Sequence, residues 1–295
     1  MEHLEVLKTY KMYIGGAFPR TESGRFYKVY DSEGDLLANA CLASRKDFRN
    51  AVVSARGAFK GWKSRNTYNR SQILYRIAEM LETRRTQFEH HLSRIGFSTA
   101  EAEADVNAAI DRLIYYAGWA DKYQQVFGSV NPVASAHFNF SMLEATGVVA
   151  MFAPESSPLL GLVSTVAPVI VGGNTCVVLA SEKYPLPAID FAEVLNSSDV
   201  PGGVVNILTG KKEELAEHFS SHMDVNAVCY FDDLPKEMKK LIDEKAAENI
   251  KRVIKTPIAD WYSNDAQSPY FITDVQETKT TWHPVEVISG TGSGY

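Results

Sequence analysis

The chain has 295 residues, of which 45% are hydrophobic and 22% are charged, so it is long enough to bury one large core or two smaller ones. The formal net charge of -6 and the alternation of basic with acidic residues exclude a broad cationic surface, and with it a nucleic-acid partner. The three cysteines, Cys41, Cys176 and Cys229, are widely spaced without a metal-ligand pattern, which predicts a reducing compartment and no metal site.

The N-terminal part is predicted to contain short strands followed by helices. Its first residues show neither a basic nor an apolar leader, so we expect no signal peptide and a cytoplasmic protein. Glycines mark turns around a strand at Phe26–Tyr30. Ser44 and Asp47 have the spacing of a capping box, ahead of a helix that ends near residue 60. Apolar residues at helical intervals predict further helices over residues 69–95 and 99–125, which completes a region of residues 1–127.

The pattern changes over residues 128–146, where Phe138 and Phe140 flank Asn139 in a two-residue alternation typical of a β-arm. From residue 147 the chain alternates apolar strands with helices. Strands are predicted at residues 147–152, 175–179, 204–208, 227–231 and 251–254, with helices at 158–171, 185–196, 212–221 and 234–249. This alternation predicts an α/β fold, with a Rossmann-like parallel sheet over residues 147–256.

An uncharged stretch over residues 156–181 is long enough to raise the question of a membrane helix. Gly172, Gly173 and Asn174 interrupt it and strand-like residues follow, so we predict a buried helix and a buried strand, and no membrane partner. The last part is predicted to be a linker and an extended strand over residues 257–288, then a flexible Gly/Ser tail over residues 289–295. No helix follows the tail glycines, so they do not form a phosphate loop.

These elements, in this order, resemble the aldehyde dehydrogenase superfamily over nearly the entire chain. The motifs that carry the resemblance are Tyr13-Ile14-Gly15-Gly16, Ser23-Gly24, Gly147-Val148-Val149, Ala153-Pro154, Pro158-Leu159-Leu160, Gly172-Gly173-Asn174-Thr175, the run from Asp199 to Asn206, and Thr209-Gly210. In particular, the chain resembles the non-catalytic second unit of tandem or paired members. The resemblance implies a dinucleotide-binding-type domain with an N-terminal helical region and β oligomerisation arms, but without a catalytic domain.

The resemblance also places candidate cofactor residues, which are Pro154, Ser156, Glu182 and Gly210. Ser156 stands where the family has an Asn that helps to stabilise an oxyanion, and Glu155 stands where it has an aromatic residue. Leu179 replaces the Lys of the cofactor motif, whereas Glu182 is retained as a candidate ribose partner. Only vestiges of the cofactor site are therefore expected.

Asp232 and Asp233 match the family's Phe-Thr-Gly-Ser motif at the predicted start of a helix. Aspartates at this position are typical helix caps, and their charge opposes a pyrophosphate that would otherwise bind the free N–H groups. We therefore expect this chain to bind NAD weakly or not at all.

The residues that oxidise aldehydes in the family are not found in the matching positions. Thr256 stands where the resemblance implies a general base, Glu, and no domain with a nucleophilic cysteine follows. Cys41 is predicted to lie in a strand-to-helix connection, and Cys176 and Cys229 in buried strands, where cysteine packs as a small hydrophobe. A thiohemiacetal route needs an activated thiolate and a base, so no catalytic residue is assigned.

The leading hypothesis is a non-catalytic structural or regulatory subunit that assembles with itself or with a full-length aldehyde dehydrogenase. The β-arm around Phe138 and the strand around Trp282 resemble the family's oligomerisation hairpin and closing strand, with Trp282 as the anchor. The alternative that both strands pair only within the monomer stays open. Two other functions also remain: an NAD-dependent component completed by a partner chain, and a nucleotide-binding module that uses Glu182.

Overall fold

A computed structural model describes residues 8–285, so the predicted tail at residues 289–295 lies outside the described part. The strands are β1 (Phe26–Tyr30), β2 (Leu36–Cys41), β3 (Ser129–Asn131), β4 (His137–Ala145), β5 (Val148–Phe152), β6 (Thr175–Leu179), β7 (Val205–Leu208), β8 (Ala227–Tyr230), β9 (Arg252–Lys255) and β10 (Gln276–Pro284). The helices are α1 (Arg45–Lys63), α2 (Thr67–Thr83), α3 (Arg85–Arg94), α4 (Thr99–Trp119), α5 (Tyr123–Phe127), α6 (Leu160–Val171), α7 (Leu186–Asn196), α8 (Lys212–Ser221), α9 (Lys236–Ala247) and α10 (Tyr270–Thr273), with a 3-10 turn at Asn264–Gln267.

The central sheet is parallel and five-stranded, in the order β7-β6-β5-β8-β9. Apolar side chains cover both of its faces. Val149 and Met151 face the core formed with α2, α3, α4, α6 and α7, whereas Val148 and Phe152 face the core formed with α1, α8 and α9. The strand order reverses direction between β5 and β8, which is the switch point where open α/β sheets bind ligands. The predicted fold class is confirmed.

The uncharged stretch forms α6 and β6, joined by a tight turn in which Gly173 has a φ of 88°. This conformation favours glycine because it lacks a Cβ. None of the helices between residues 8 and 285 is long and apolar enough to cross a membrane.

Two long helices predicted from the sequence are each broken into two. The helix predicted over residues 69–95 divides at Arg84, whose guanidinium bonds to Gln87 and to Glu193 on α7. The helix predicted over residues 99–125 ends at Trp119 and resumes as the short α5. By contrast, the capping box is present as predicted, because the Ser44 amide donates to Asp47 Oδ2 over 2.8 Å.

A separate three-stranded antiparallel sheet, which we call the arm sheet, consists of β10, β4 and β3 in that order. β10 pairs with β4 of the same chain along its whole length, from Gln276 opposite Ala145 to Pro284 opposite His137. The two predicted assembly strands therefore pair with each other within the chain. Trp282 nevertheless stays 57% exposed and packs its ring against His137, so it does not belong to the core.

Residues 256–275, which we call the linker, connect β9 directly to β10 and pack on α4 and α6. Arg112 on α4 donates to Ser164 Oγ over 2.8 Å, to the Trp261 carbonyl over 3.0 Å, and to the Ala266 carbonyl. Trp261 and Ala266 are buried, as is Ile272 in α10. The linker is thus an integral part of the core.

Candidate functional site

An open cleft of about 1060 Å³ lies at the carboxyl edge of the sheet, at the switch point. Its lining includes segments that follow β5, β6, β7 and β8, together with β1 and the start of α9. The charged residues that line it are Asp31, Glu155, Glu182, Glu213, Asp232, Asp233, Lys28, Lys183 and Lys212. Carboxylates outnumber lysines two to one, so the cleft disfavours a polyanionic ligand.

The centre of the cleft is a network around the carboxylate of Glu155. This carboxylate accepts hydrogen bonds from the Glu182 amide over 3.1 Å, from the Lys183 amide over 3.2 Å and from the Ser181 hydroxyl. Lys212 at the start of α8 completes the set, with Nζ 2.7 Å from Glu155 Oε1. Burial would raise the pKa of Glu155, but the charge of Lys212 and these hydrogen bonds hold that pKa below its usual range.

The four predicted cofactor residues do not converge on this cleft. Glu182 lines it, whereas Ser156 is exposed beside it and does not contribute to its lining. Pro154 is buried and its ring packs closely against Gly161 of α6. The approach is so close that a Cβ at position 161 would lie only 2.5 Å from the ring. Gly210 is buried in the β7–α8 connection, close to the backbone of Ala43. Of the four, only Glu182 lines the cleft.

The interpretation of Asp232 and Asp233 as helix caps is wrong. α9 begins at Lys236 with no side-chain cap, because the preceding Pro235 disfavours a helical conformation at Leu234. Asp232 instead accepts from the Glu155 amide over 3.0 Å and lies 3.2 Å from Lys212 Nζ, whereas Asp233 pairs with Lys239. Asp232 therefore belongs to the Glu155 network, whereas Asp233 does not.

The N-terminus of α6, where an oxyanion would be stabilised in the resemblance, is already occupied by side chains of this chain. The Leu160 amide donates to Asp105 Oδ2 over 3.2 Å, and the Gly161 amide donates to Ser157 Oγ over 2.8 Å. Tyr262 from the linker donates its hydroxyl to the other Asp105 oxygen over 3.0 Å. The predicted residue, Ser156, makes no hydrogen bond of this kind in the part of the chain described.

None of the three cysteines is positioned as a nucleophile. Cys176 and Cys229 are buried in β6 and β8 as predicted, and burial raises the pKa of both thiols far above the range of an activated cysteine. The prediction for Cys41 is wrong in detail, because this residue ends β2 instead of following it. Residues 8–285 contain no His, Cys, Asp or Glu cluster that could hold a metal ion.

Sequence reasoning missed two residues that organise the site, Lys212 and Asp105. Both are charged side chains that are almost fully buried, and each is paired with a partner distant in sequence. A lysine at the first position of a predicted helix is usually solvated, so nothing in the pattern distinguished Lys212. The contact between Lys212 and Glu155 depends on the sheet, in which β5 pairs with β6 and β6 pairs with β7.

The comparison with family models identifies the wider group. A model described as the aldehyde dehydrogenase family matches residues 18–255, from the segment before β1 to the end of β9. The chain belongs to the aldehyde dehydrogenase family. The resemblance recognised in the sequence is thereby confirmed at the level of the family.

Individual relatives match only a part of their own length. Aldehyde dehydrogenase, cytosolic 1, of Elephantulus edwardii is 32% identical over 251 residues, which are 82% of this chain and 49% of the relative. Retinal dehydrogenase 2 of Gallus gallus is 32% identical over 258 residues, 85% of this chain and 49% of the relative. The NAD+ complex of an aldehyde dehydrogenase from Bacillus cereus is similar with a TM-score of 0.79 at 28% identity, covering 84% of this chain and 50% of that one. This aldehyde dehydrogenase family chain thus spans about half the length of the relatives it matches.

Proposed function

We propose that this chain is a non-catalytic structural or regulatory subunit that assembles with itself or with a full-length aldehyde dehydrogenase. The proposal is based on the connection between β9 and β10. β9 is joined to β10 by the linker alone, and the general base implied by the resemblance is replaced by Thr256 at that junction. Within residues 8–285, no second α/β domain is inserted where the resemblance implies the catalytic cysteine.

The arm sheet supports an assembly role through both its edge and its face. β10 is an outer strand of nine residues, and such an edge gains hydrogen bonds when another chain pairs with it. On one face, Val130 lies opposite Phe140, with Phe138 and Met142 beside it on β4. Val130, Phe138 and Met142 are all exposed, as is Trp282 on the other face. Contacts with other subunits would cover these exposed apolar side chains on the two faces of the arm sheet.

Native mass spectrometry tests assembly directly, on the chain alone and after co-expression with a full-length aldehyde dehydrogenase. We expect an oligomer in at least one case, and we expect Trp282→Lys to shift its mass toward monomer because a charge at an aromatic anchor opposes burial. Tyr68→Lys is the matched control, since Tyr68 is 69% exposed on α2 and does not belong to the arm sheet. A monomer in both preparations would rule out the proposal.

The chain alone is expected to show no aldehyde oxidation with NAD or NADP. Neither Cys176 nor Cys229 has an activated thiolate, and Thr256 cannot act as a general base. Cofactor reduction is followed by absorbance with short, long and aromatic aldehydes. Turnover that disappears in Cys229→Ala or Cys176→Ala would contradict this expectation.

A second candidate function is a cofactor-binding component that a partner chain completes. The location of Glu182 in the cleft favours it, because this residue is the retained candidate ribose partner. Against it, Leu179 lacks a donor, and the carboxylates of Glu155, Asp232 and Asp233 would repel a pyrophosphate. Calorimetry with NAD is expected to show weak or no binding. A dissociation constant of about a micromolar, near -8 kcal/mol, would favour this second function instead.

We place the subunit in the cytoplasm, with no nucleic-acid or membrane partner. The three free cysteines support a reducing compartment, and the Elephantulus edwardii relative is named as cytosolic. Fractionation of cells that express a tagged chain tests this location.

A further inference from the structure

We propose that Ser181, the amides of Glu182 and Lys183, and Lys212 form an oxyanion-binding site that the chain keeps closed with its own Glu155 carboxylate. The ligand class is a small carboxylate or phosphate ion, which enters only when Glu155 is removed or withdrawn. This inference does not depend on assembly, so it can fail while the proposed function stands.

Four donors surround the carboxylate of Glu155. Oε1 of Glu155 accepts a hydrogen bond from the Glu182 amide and lies 2.7 Å from Lys212 Nζ. Oε2 accepts hydrogen bonds from the Lys183 amide and the Ser181 hydroxyl. Two adjacent backbone N–H groups, a hydroxyl and an ammonium around one oxyanion are typical of a bound anionic ligand. A side chain of the protein here fills the place of that ligand.

The donors have contacts other than Glu155 that hold them in position. Ser181 is 2% exposed, and its oxygen accepts the Tyr184 amide over 2.9 Å, which leaves its hydroxyl hydrogen to donate into the site. Lys212 is 8% exposed and keeps a second partner in Asp232, 3.2 Å away. The amides of Glu182 and Lys183 belong to the short connection between β6 and α7. Removing the Glu155 side chain therefore leaves a preorganised site that lacks its anion.

The proposed site can be reached from solvent. The site lies in the open cleft, and Glu155 reaches it from the β5–α6 connection with a side chain that is 34% exposed. Rotation of that side chain opens the site without moving a strand. A closed site that opens for only a small fraction of the time weakens apparent binding by that fraction.

The test compares wild type with Glu155→Ala by calorimetry and by thermal shift, using inorganic phosphate and formate at constant ionic strength set with chloride. Glu155→Ala is expected to bind both ions at least about tenfold more tightly than wild type, and its melting temperature is expected to rise saturably with either ion. Glu213→Ala is the matched control, because it removes an equal charge from the same cleft but does not belong to the Glu155 network. Glu213→Ala is expected to behave as wild type.

Equal affinity in wild type and Glu155→Ala, or no binding by a folded Glu155→Ala, would overturn the proposal. Equal gains in Glu155→Ala and Glu213→Ala would also overturn it, since they would show only a change in net charge. If Glu155→Ala fails to fold, Glu155→Gln provides the test, because the amide keeps the size of the side chain and removes the charge that attracts Lys212. Tighter phosphate binding by Glu155→Gln than by wild type supports the proposal, and unchanged binding refutes it.

Discussion

Replacement of Arg112 by Met is expected to lower the free energy of unfolding by about 2 to 5 kcal/mol, the largest effect of a single polar substitution that we predict. The guanidinium bonds to two linker carbonyls, those of Trp261 and Ala266, and to Ser164 in α6. A buried acceptor without its donor costs about 1 to 3 kcal/mol, and Met cannot replace any of these bonds. Urea denaturation measures the loss, and limited proteolysis locates it in residues 256–275.

Arg76→Met is the control for this substitution. Arg76 forms an exposed pair with Glu79 on α2, and exposed pairs of this kind contribute little to stability. Its unfolding midpoint is expected to stay close to that of wild type. A similarly small effect for Arg112→Met would show that the linker does not depend on the guanidinium.

Asp105→Asn is expected to remove a pH-dependent loss of up to about 3 kcal/mol in the free energy of unfolding. Burial raises the pKa of Asp105 from 3.8 to about 6, despite the opposing hydrogen bonds from Leu160 and Tyr262. Because the folded pKa lies above the unfolded value, wild type loses stability as pH rises from about 4 to about 6, at about 1.4 kcal/mol per pKa unit. Asn carries no charge, so the stability of the variant relative to wild type should rise over this window and level off above it.

Thermal unfolding from about pH 2 to about pH 8 measures this difference, because the range covers the Asp105 window and the pH values below 3.8. Asp31→Asn is a control of opposite sign, because a hydrogen bond from Arg94 lowers the pKa of Asp31 and its charge is stabilising above the unfolded value. The relative stability of Asp31→Asn should therefore fall as pH rises toward 3.8 from below, and stay nearly level at higher pH. A pH-independent difference between Asp105→Asn and wild type would contradict the raised pKa.

The repeating elements of the fold follow closely from local patterns. Thr175–Leu179 is uniformly apolar because both faces of its strand are covered, and the sequence predicts its bounds correctly. The break at Arg84 was missed because no glycine or proline marks it and its main partner, Glu193, lies on another helix. The start of α9 was placed too early because Pro235 acts on the residue before it. Local chemistry predicts regular elements, whereas their interruptions depend on tertiary contacts or on the neighbour of a proline.

The candidate site was less predictable than the fold. Sequence motifs placed Pro154, Ser156 and Gly210 near a cofactor, but two of these residues pack internally and Ser156 faces solvent. The substitution to Glu155 was visible in the sequence, yet its consequence depends on Lys212, which lies 57 positions away along the chain. Motif matching gives the location of a site, but it cannot show which side chains neutralise one another there.

The pairing of β4 with β10 has a consequence for how the protein is made. β4 leaves the ribosome more than 130 residues before its partner strand, because Ala145 pairs with Gln276. During that interval β4 has only the three-residue β3 beside it, and its other edge lies unpaired next to exposed Phe138 and Met142. Strand pairs that are far apart in sequence form slowly, and their unpaired edges are prone to aggregate. The nascent chain is therefore most prone to aggregation after synthesis of β3 and β4 and before synthesis of β10. We expect chaperones to bind the chain mainly in that interval.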